Sequence, residues 1–308
     1  MALQVGIVGL ANSGKTTLFT ALTGTGTHTT GKENVGMAAV PDERLTQVAE
    51  VVHAKKVTPA SIRVVDVPGT GAQLLGNLRQ VDLLLLVLDA WSGTRTPQED
   101  YESVVLELLA ADRELVERRI ERVSKQAKSG DASLKAEVEN LGKLAAHLEN
   151  LQAVSELGGD LDIPPELELL TIKPLMRIVN GPEGIDLKLE AELAELPEDE
   201  AGAFREGESA LAEVVRALAE ELDLITFFTA GEKETRAWTL RRGSTALDAA
   251  ETIHSDIARG FIRAEVIRWD DLVAAGSHTD AARAGKQRLE GKTYVVQDGD
   301  VLNVRFNV

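Results

Sequence analysis

Cysteine is absent from all 308 residues, which excludes disulfides, thiolate metal sites and cysteine nucleophiles. Long apolar runs are absent too. The longest, Leu83 to Leu88, is far too short to span a bilayer and suits a fully buried parallel strand. The first strand is expected to include residue 5, which leaves no room for a leader segment, so cytoplasm is the expected location. The five histidines, His28, His53, His147, His254 and His278, lack ligand spacing and assign no transition metal. Basic charge is in deficit: the net charge is −17, and an acidic surface repels a polyanion. The deficit is uneven. From Ile225 onward 12 Lys/Arg face 12 Asp/Glu, so this neutral end, with Arg236, Arg241, Arg242, Arg259, Arg263 and Arg268, can still present a basic face.

The strongest positive signal is Gly9-Leu-Ala-Asn-Ser-Gly-Lys-Thr-Thr17, which meets the phosphate-loop pattern G-x-x-x-x-G-K-[ST]. An apolar strand around Val5 to Val8 precedes it, and a helix opens at Thr17. That order has a physical purpose. Glycines let backbone N–H groups wrap a phosphate, and the helix N-terminus adds partial positive charge aimed at the same anion. Gly9, Gly14, Lys15 and Thr16 hold the fixed positions of the pattern. Lys15 is assigned to the β- and γ-phosphates and Thr16 to Mg²⁺.

Residues Thr25 to Asn34 are polar and rich in Gly and Thr, poor material for a regular element. In such a position a threonine completes the Mg²⁺ shell and senses the γ-phosphate, with Thr30 first and Thr29 second. Ile62 to Gly69 then reads as a strand ending in D-x-x-G. Asp66 is placed to hold Mg²⁺ and the Gly69 amide to meet the γ-phosphate. Thr70 follows, so no glutamine stands there to orient water, and Gln73 is the nearest substitute. A later strand carries Asn180-Gly-Pro-Glu183 at its carboxyl end, where open α/β sheets bind ligands. Asn180 and Glu183 fall where N-K-x-D reads guanine in GTPases. With no lysine and a longer acid, guanine preference weakens and adenine is admitted.

Leu108, Leu109, Leu115, Val116, Ile120, Val123 and Ala127 recur at helical spacing, as do Leu134, Val138, Leu141, Ala145, Leu148 and Leu151 after Ser129-Gly-Asp131. Two antiparallel amphipathic helices fit, projecting as an arm. From Ile225 the period shortens. Strands are expected at 225–229, 236–240, 264–267, 293–296 and 301–306, with one helix from about Thr245 to Arg259, the order of a small β-grasp domain. The fold class is thus α/β: a P-loop G domain with a mostly parallel sheet at 1–100 and 165–224, a helical-hairpin insert at 101–164, and a β-grasp domain at 225–308.

The pieces together resemble the YchF or Obg-like ATPase family of P-loop proteins. Gly6 to Phe19, Pro41-Asp-Glu-Arg-Leu45, Ala127-Lys-Ser-Gly-Asp131 and Lys173-Pro174 carry the likeness, as do Phe228 to Trp238, Gly260 to Glu265, Arg288 to Lys292, Val296 to Asp300 and Arg305 to Val308. The resemblance spans the chain in collinear order. It implies a C-terminal TGS domain, Mg²⁺-dependent hydrolysis of ATP or GTP, and association with the ribosome, taken as its large subunit, with an RNA contact through the TGS domain. It also implies a monomer and no membrane partner. It places Asn12, Ser13, Gly14, Lys15, Thr16 and Thr17 on the phosphates and metal, with Lys15, Thr30 and Gly69 as the catalytic candidates.

The chain departs from that pattern in four places. The loop after Gly69 is short, with Thr70 where a hydrophobic residue is expected. Asp89-Ala-Trp-Ser-Gly93 stands in place of a histidine-bearing run. Switch I lacks aromatic and proline residues. Gly184 to Leu196 is too short for the usual helix, strand and base-supporting Ser-Ala loop. These losses thin the water-positioning parts and spare phosphate binding, so a slow NTPase is expected, with a nucleotide-binding switch of little turnover as the alternative. A small-molecule kinase is disfavoured, because no Arg-rich lid follows the P-loop.

Overall fold

The computed structural model describes residues 3–24, 34–67, 71–128, 131–158, 161–204 and 208–307. Its first half alternates strand and helix: β1 (Gln4–Val8), α1 (Lys15–Thr23), β2 (Asn34–Val40), α2 (Glu43–Val51), β3 (Val57–Thr58), β4 (Ala60–Asp66), α3 (Gly71–Leu78) and β5 (Leu83–Asp89). A long helical pair follows, α4 (Pro97–Ala127) and α5 (Ala132–Glu149), then β6 (Leu175–Asn180), α6 (Leu187–Ala194), α7 (Glu198–Phe204) and α8 (Ala210–Glu221). The remainder is β7 (Leu224–Thr229), β8 (Thr235–Arg241), α9 (Ala246–Ile253), α10 (Ser255–Arg259), β9 (Phe261–Arg268), α11 (Trp269–Ala275), α12 (His278–Arg283), β10 (Arg288–Glu290) and β11 (Asp300–Phe306). Two compact units emerge, Met1–Gly36 with Arg63–Gly207, and Met37–Ile62 with Glu208–Val308.

The first unit is built on a five-stranded sheet in the order β2-β4-β1-β5-β6. β1 pairs parallel with β4 and β5, and β5 pairs parallel with β6. A strand covered on both faces has no polar side to show, which is why Leu83 to Leu88 are all buried. Val8, Val65, Leu84, Leu86 and Leu88 meet Leu78 on α3 and Val104 and Leu108 on α4. That core fixes the carboxyl ends of β1, β4, β5 and β6 together.

Helix α4 starts at Pro97, four residues before the expected insert boundary. Pro97 suits the first helical position, and Thr96 with Glu99 closes a capping box ahead of it. Leu109 and Val116 then pack on Leu141, Leu144 and Leu148 of α5, the seam that the periodicity predicts. Asp112, fully buried, anchors the middle of α4. It accepts from the Leu170 and Thr171 amides at 2.9 and 2.7 Å and pairs with Arg79 at 2.9 Å. The short segment after β6 does hold a helix, α6, reached directly through a tight turn. No strand follows it before α8 among the described residues.

The second unit carries a six-stranded sheet in the order β10-β9-β11-β7-β8-β3. β7 pairs antiparallel with β8 and parallel with β11, and β9 pairs antiparallel with β10 and β11, a β-grasp arrangement with β3 added at one edge. Ile225, Phe227, Ala249, Ala250, Val266 and Leu302 form the core beneath α9. Two expectations are corrected here. Residues 293–296 are not a strand: Val295 makes only an isolated bridge to Thr245, and β10 takes the edge at 288–290 instead. The single helix splits at His254, whose extended backbone (φ −170) ends α9 while its Nδ1 accepts from the Asp256 amide to cap α10. Two further helices, α11 and α12, occupy the segment between β9 and β10.

Candidate functional site

Between β1 and α1 the chain must reverse within six residues, and backbone of unusual hand does it. Asn12 and Gly14 lie at φ 65 and 103, a region where a Cβ is strained. Gly14 is the N-cap of α1 and no side chain caps the helix, so the first-turn N–H groups are left for an outside acceptor. The Lys15 ammonium lies back over this loop, donating to the Gly9 and Leu10 carbonyls at 3.0 and 2.7 Å. Burial lowers its pKa from the ordinary lysine value, and the nearby Asp66 charge opposes that shift.

Asp66 closes β4 beside Ile7 of β1 and is 5% exposed. The Thr16 hydroxyl donates to its Oδ2 at 3.2 Å. Thr17 is half-buried one residue further into α1, and Asn12 is exposed at the loop's apex. Ser13 is buried, and its Oγ lacks a hydrogen-bond partner among the described residues. Such an orphaned hydroxyl beside free amides marks a place where a polar ligand completes the bonding.

Asn180, at the end of β6, reaches the same loop from the other side. Its Nδ2 donates to the Ser13 carbonyl at 3.1 Å, and its Oδ1 accepts from Trp91 Nε1 at 3.2 Å and the Leu187 amide at 3.4 Å. One amide thus ties the phosphate loop, the turn after β5 and the start of α6. Trp91 has no assigned role in the sequence reading, yet it is the partner that fixes Asn180. Its ring is half exposed, and its position is set by Asp89, whose carboxylate accepts from the Trp91 amide at 3.0 Å. Bonds from the Ser92 side chain and the Trp91 amide hold the Asp89 pKa below its usual value. Asp89-Ala-Trp-Ser at the end of a buried strand was the available signal, since an aspartate side chain readily accepts from the backbone amide two residues on, forming an Asx turn.

Gly181 sits where the guanine-reading motif has lysine, and the reason is steric: a Cβ there would lie 2.5 Å from Ala90 Cβ. Glu183 is exposed in the turn that follows and makes no hydrogen bond among the described residues. Gln73 is exposed on α3. Thr29, Thr30 and Gly69 lie outside the described residues. The structure therefore gathers Asn12 to Thr17, Asp66 and Asn180 around one loop, leaves Glu183 in the exposed turn after β6, and adds Trp91.

Comparisons with known proteins identify the chain's relatives. The sequence profile of the family described as "50S ribosome-binding GTPase" matches residues 4–125, and that of the YchF GTPase C-terminal domain, described as a protein of unknown function, matches 224–307. The chain is similar to the ribosome-binding ATPase YchF of Bacillus subtilis, 39% identical with all of both chains covered, and to that of Escherichia coli O157:H7, 37% identical with the same coverage. The Bacillus alignment runs over 366 positions against 308 residues, so at least 58 positions have no residue in this chain. The solved structure of the Schizosaccharomyces pombe YchF GTPase superposes with a TM-score of 0.85 at 27% identity, covering 98% of this chain and 97% of that one.

Proposed function

The chain belongs to the YchF family, and from that membership we propose that it is a ribosome-binding ATPase that binds and slowly hydrolyses nucleoside triphosphate at the loop between β1 and α1. The observation that carries the reading is the convergence of an uncapped helix N-terminus, the Lys15 ammonium and the Thr16–Asp66 oxygen pair on one loop. Amides and ammonium bind the triphosphate, with Asn12, Ser13 and Gly14 supplying backbone and Thr17 lying behind it. ATP is the nucleotide, admitted because no lysine clamps a guanine and the exposed Glu183 is not held at a base, and GTP is the alternative substrate. The half-exposed Trp91 ring, locked to Asn180, supplies the flat surface that a purine packs on.

The Thr16 hydroxyl and Asp66 carboxylate are hard oxygen donors, and Mg²⁺ suits such a pair because it keeps several waters and takes few protein ligands. When bound, the ion neutralises charge on the β- and γ-phosphates. Thr30 and Gly69 are assigned to the γ-phosphate side, positioning the attacking water. Ribosome association is assigned to the C-terminal β-grasp domain and the α4–α5 arm, on the large subunit with an RNA contact. No helix among the described residues is long and apolar enough to cross a membrane, and a monomer in the cytoplasm fits this role.

The shortening of the chain favours a second reading, a nucleotide-binding switch with almost no turnover. Phosphate release from the purified protein separates the two, with ATP or GTP, Mg²⁺, and ribosomes present or absent, beside a Lys15→Ala control. Release that depends on Lys15 and favours ATP supports the enzyme. Bound nucleotide without release supports the switch, and no nucleotide binding refutes both.

A further inference from the structure

The cations of the α4–α5 arm fall into two groups. On its body each one meets a carboxylate: Arg113 pairs with Glu117 and Glu149, Arg118 with Glu114, Arg119 with Glu137, and Lys143 with Glu139. At its far end Arg122, Lys125, Lys128 and Lys135 are all exposed and make no ion pair among the described residues. Arg122, Lys125 and Lys128 fall within ~9 Å of helix axis, and Arg122 and Lys125 share a face with Arg118. Lys135 follows within the first turns of the antiparallel α5. Of the two acids in this stretch, Asp131 is committed to capping α5 through the Ser133 amide at 2.9 Å, which leaves Glu121. A chain of net charge −17 thus carries a cationic tip, about 45 Å along α4 from its start.

The tip has no apolar anchor. No large hydrophobic side chain from 107 to 150 is exposed among the described residues. A protein partner needs such an anchor at the centre of its contact. Unpaired Lys and Arg on a narrow rod suit a phosphate backbone instead, because each contact releases a condensed counterion.

We propose that the tip of the α4–α5 arm is an RNA-phosphate-binding element that contacts ribosomal RNA through Arg122, Lys125, Lys128 and Lys135. This rests on the ribosome-binding reading above and names the chemistry of one contact. Four phosphate contacts correspond to a slope of about −3 to −4 in log affinity against log salt concentration.

The test is sedimentation of the full chain with ribosomes across a KCl series, and filter binding to protein-free ribosomal RNA across the same series. The R122Q/K125Q/K128Q/K135Q variant is expected to bind both about 10- to 100-fold more weakly at low salt, with the slope flattened by about 3. Its circular dichroism and ribosome-free ATP hydrolysis should match wild type, because glutamine is a good helix former at exposed positions. R122K/K125R/K128R/K135R should restore binding. An R113Q/R118Q/K143Q control, which removes cations already neutralised, should keep the wild-type slope; equal flattening there overturns the local assignment. If wild type and the glutamine variant bind ribosomes alike, the tip proposal falls and the ribosome reading stands. If wild type does not bind ribosomes, that reading falls, and the tip is judged on the RNA arm alone: tip-dependent binding supports it and equal or absent binding overturns it. Loss on ribosomes with unchanged binding to protein-free RNA points to an acidic protein partner and overturns the proposal.

Discussion

Replacing Gly14 by alanine should damage the first unit through two separable effects. The backbone there lies at φ 103, and a Cβ in that left-handed region costs about 1–2 kcal/mol. The new Cβ would also sit 2.6 Å from Asn180 Nδ2, so the amide must yield. Its bond to the Ser13 carbonyl is 3.1 Å long, and losing it costs about 1 kcal/mol. The sum is about 2–3 kcal/mol. Trp91 is the one tryptophan in the first unit, since Trp238 and Trp269 belong to the second. Its fluorescence in a Trp238→Phe/Trp269→Phe background therefore reports urea unfolding of that unit alone. Repeating the substitution in Asn180→Ala removes the amide that Cβ strikes, so only the backbone cost of about 1–2 kcal/mol should remain. An equal cost in both backgrounds would refute the displacement of Asn180. No cost in either would refute the left-handed geometry itself.

Three further outcomes follow from the same physics. Asp112→Ala strips a buried carboxylate from two amides, the Thr171 hydroxyl and Arg79, and should lower stability of the first unit by about 3–5 kcal/mol in urea unfolding; a change below about 1 kcal/mol contradicts its anchoring role. Gly181→Lys, which would restore the guanine motif's lysine, should weaken ATP binding without creating GTP preference, because its Cβ meets Ala90; competitive titration of the two nucleotides measures this, and a gain in GTP affinity defeats the steric explanation. In the second unit burial and the hydrogen bond to Asp300 push the Tyr294 pKa up to about 12. The folded state then holds this proton where the unfolded chain has lost it, so stability is fully present below about pH 10 and declines as pH rises toward 12. Tyrosinate absorbance in Tyr101→Phe should titrate late, and titration at the ordinary tyrosine value counts against the contact.

Features set by neighbours in sequence were legible. The phosphate loop needs glycine, lysine and threonine at fixed offsets between a strand and a helix. The leucine run of β5 records burial on both faces, and the arm's three- and four-residue spacing records its seam. In the C-terminal unit β7, β8, β9 and β11 showed their extended periodicity, but Tyr294-Val-Val296 misled. Val296 is buried in the core without pairing as a strand, because apolar content reports burial and not the ladder. The break at His254 was hidden for a related reason: one residue's dihedral and its ring nitrogen decide it.

The sequence by itself determined that a triphosphate loop exists, that Asp66 and Asn180 stand at the carboxyl ends of strands, and that the arm is a helical pair, since each follows from local stereochemistry and hydrophobic period. Only the tertiary structure decided that Asn180 locks onto Ser13 and Trp91, which stand 167 and 89 residues away. It alone joined residues 37–62 to the C-terminal unit, where β3 pairs with β8, and left the arm's distal cations without ion pairs among the described residues. These outcomes depend on which surfaces meet when the core closes. No periodicity along the chain encodes that, because a side chain's partner across space is chosen by packing and by the desolvation of its polar groups.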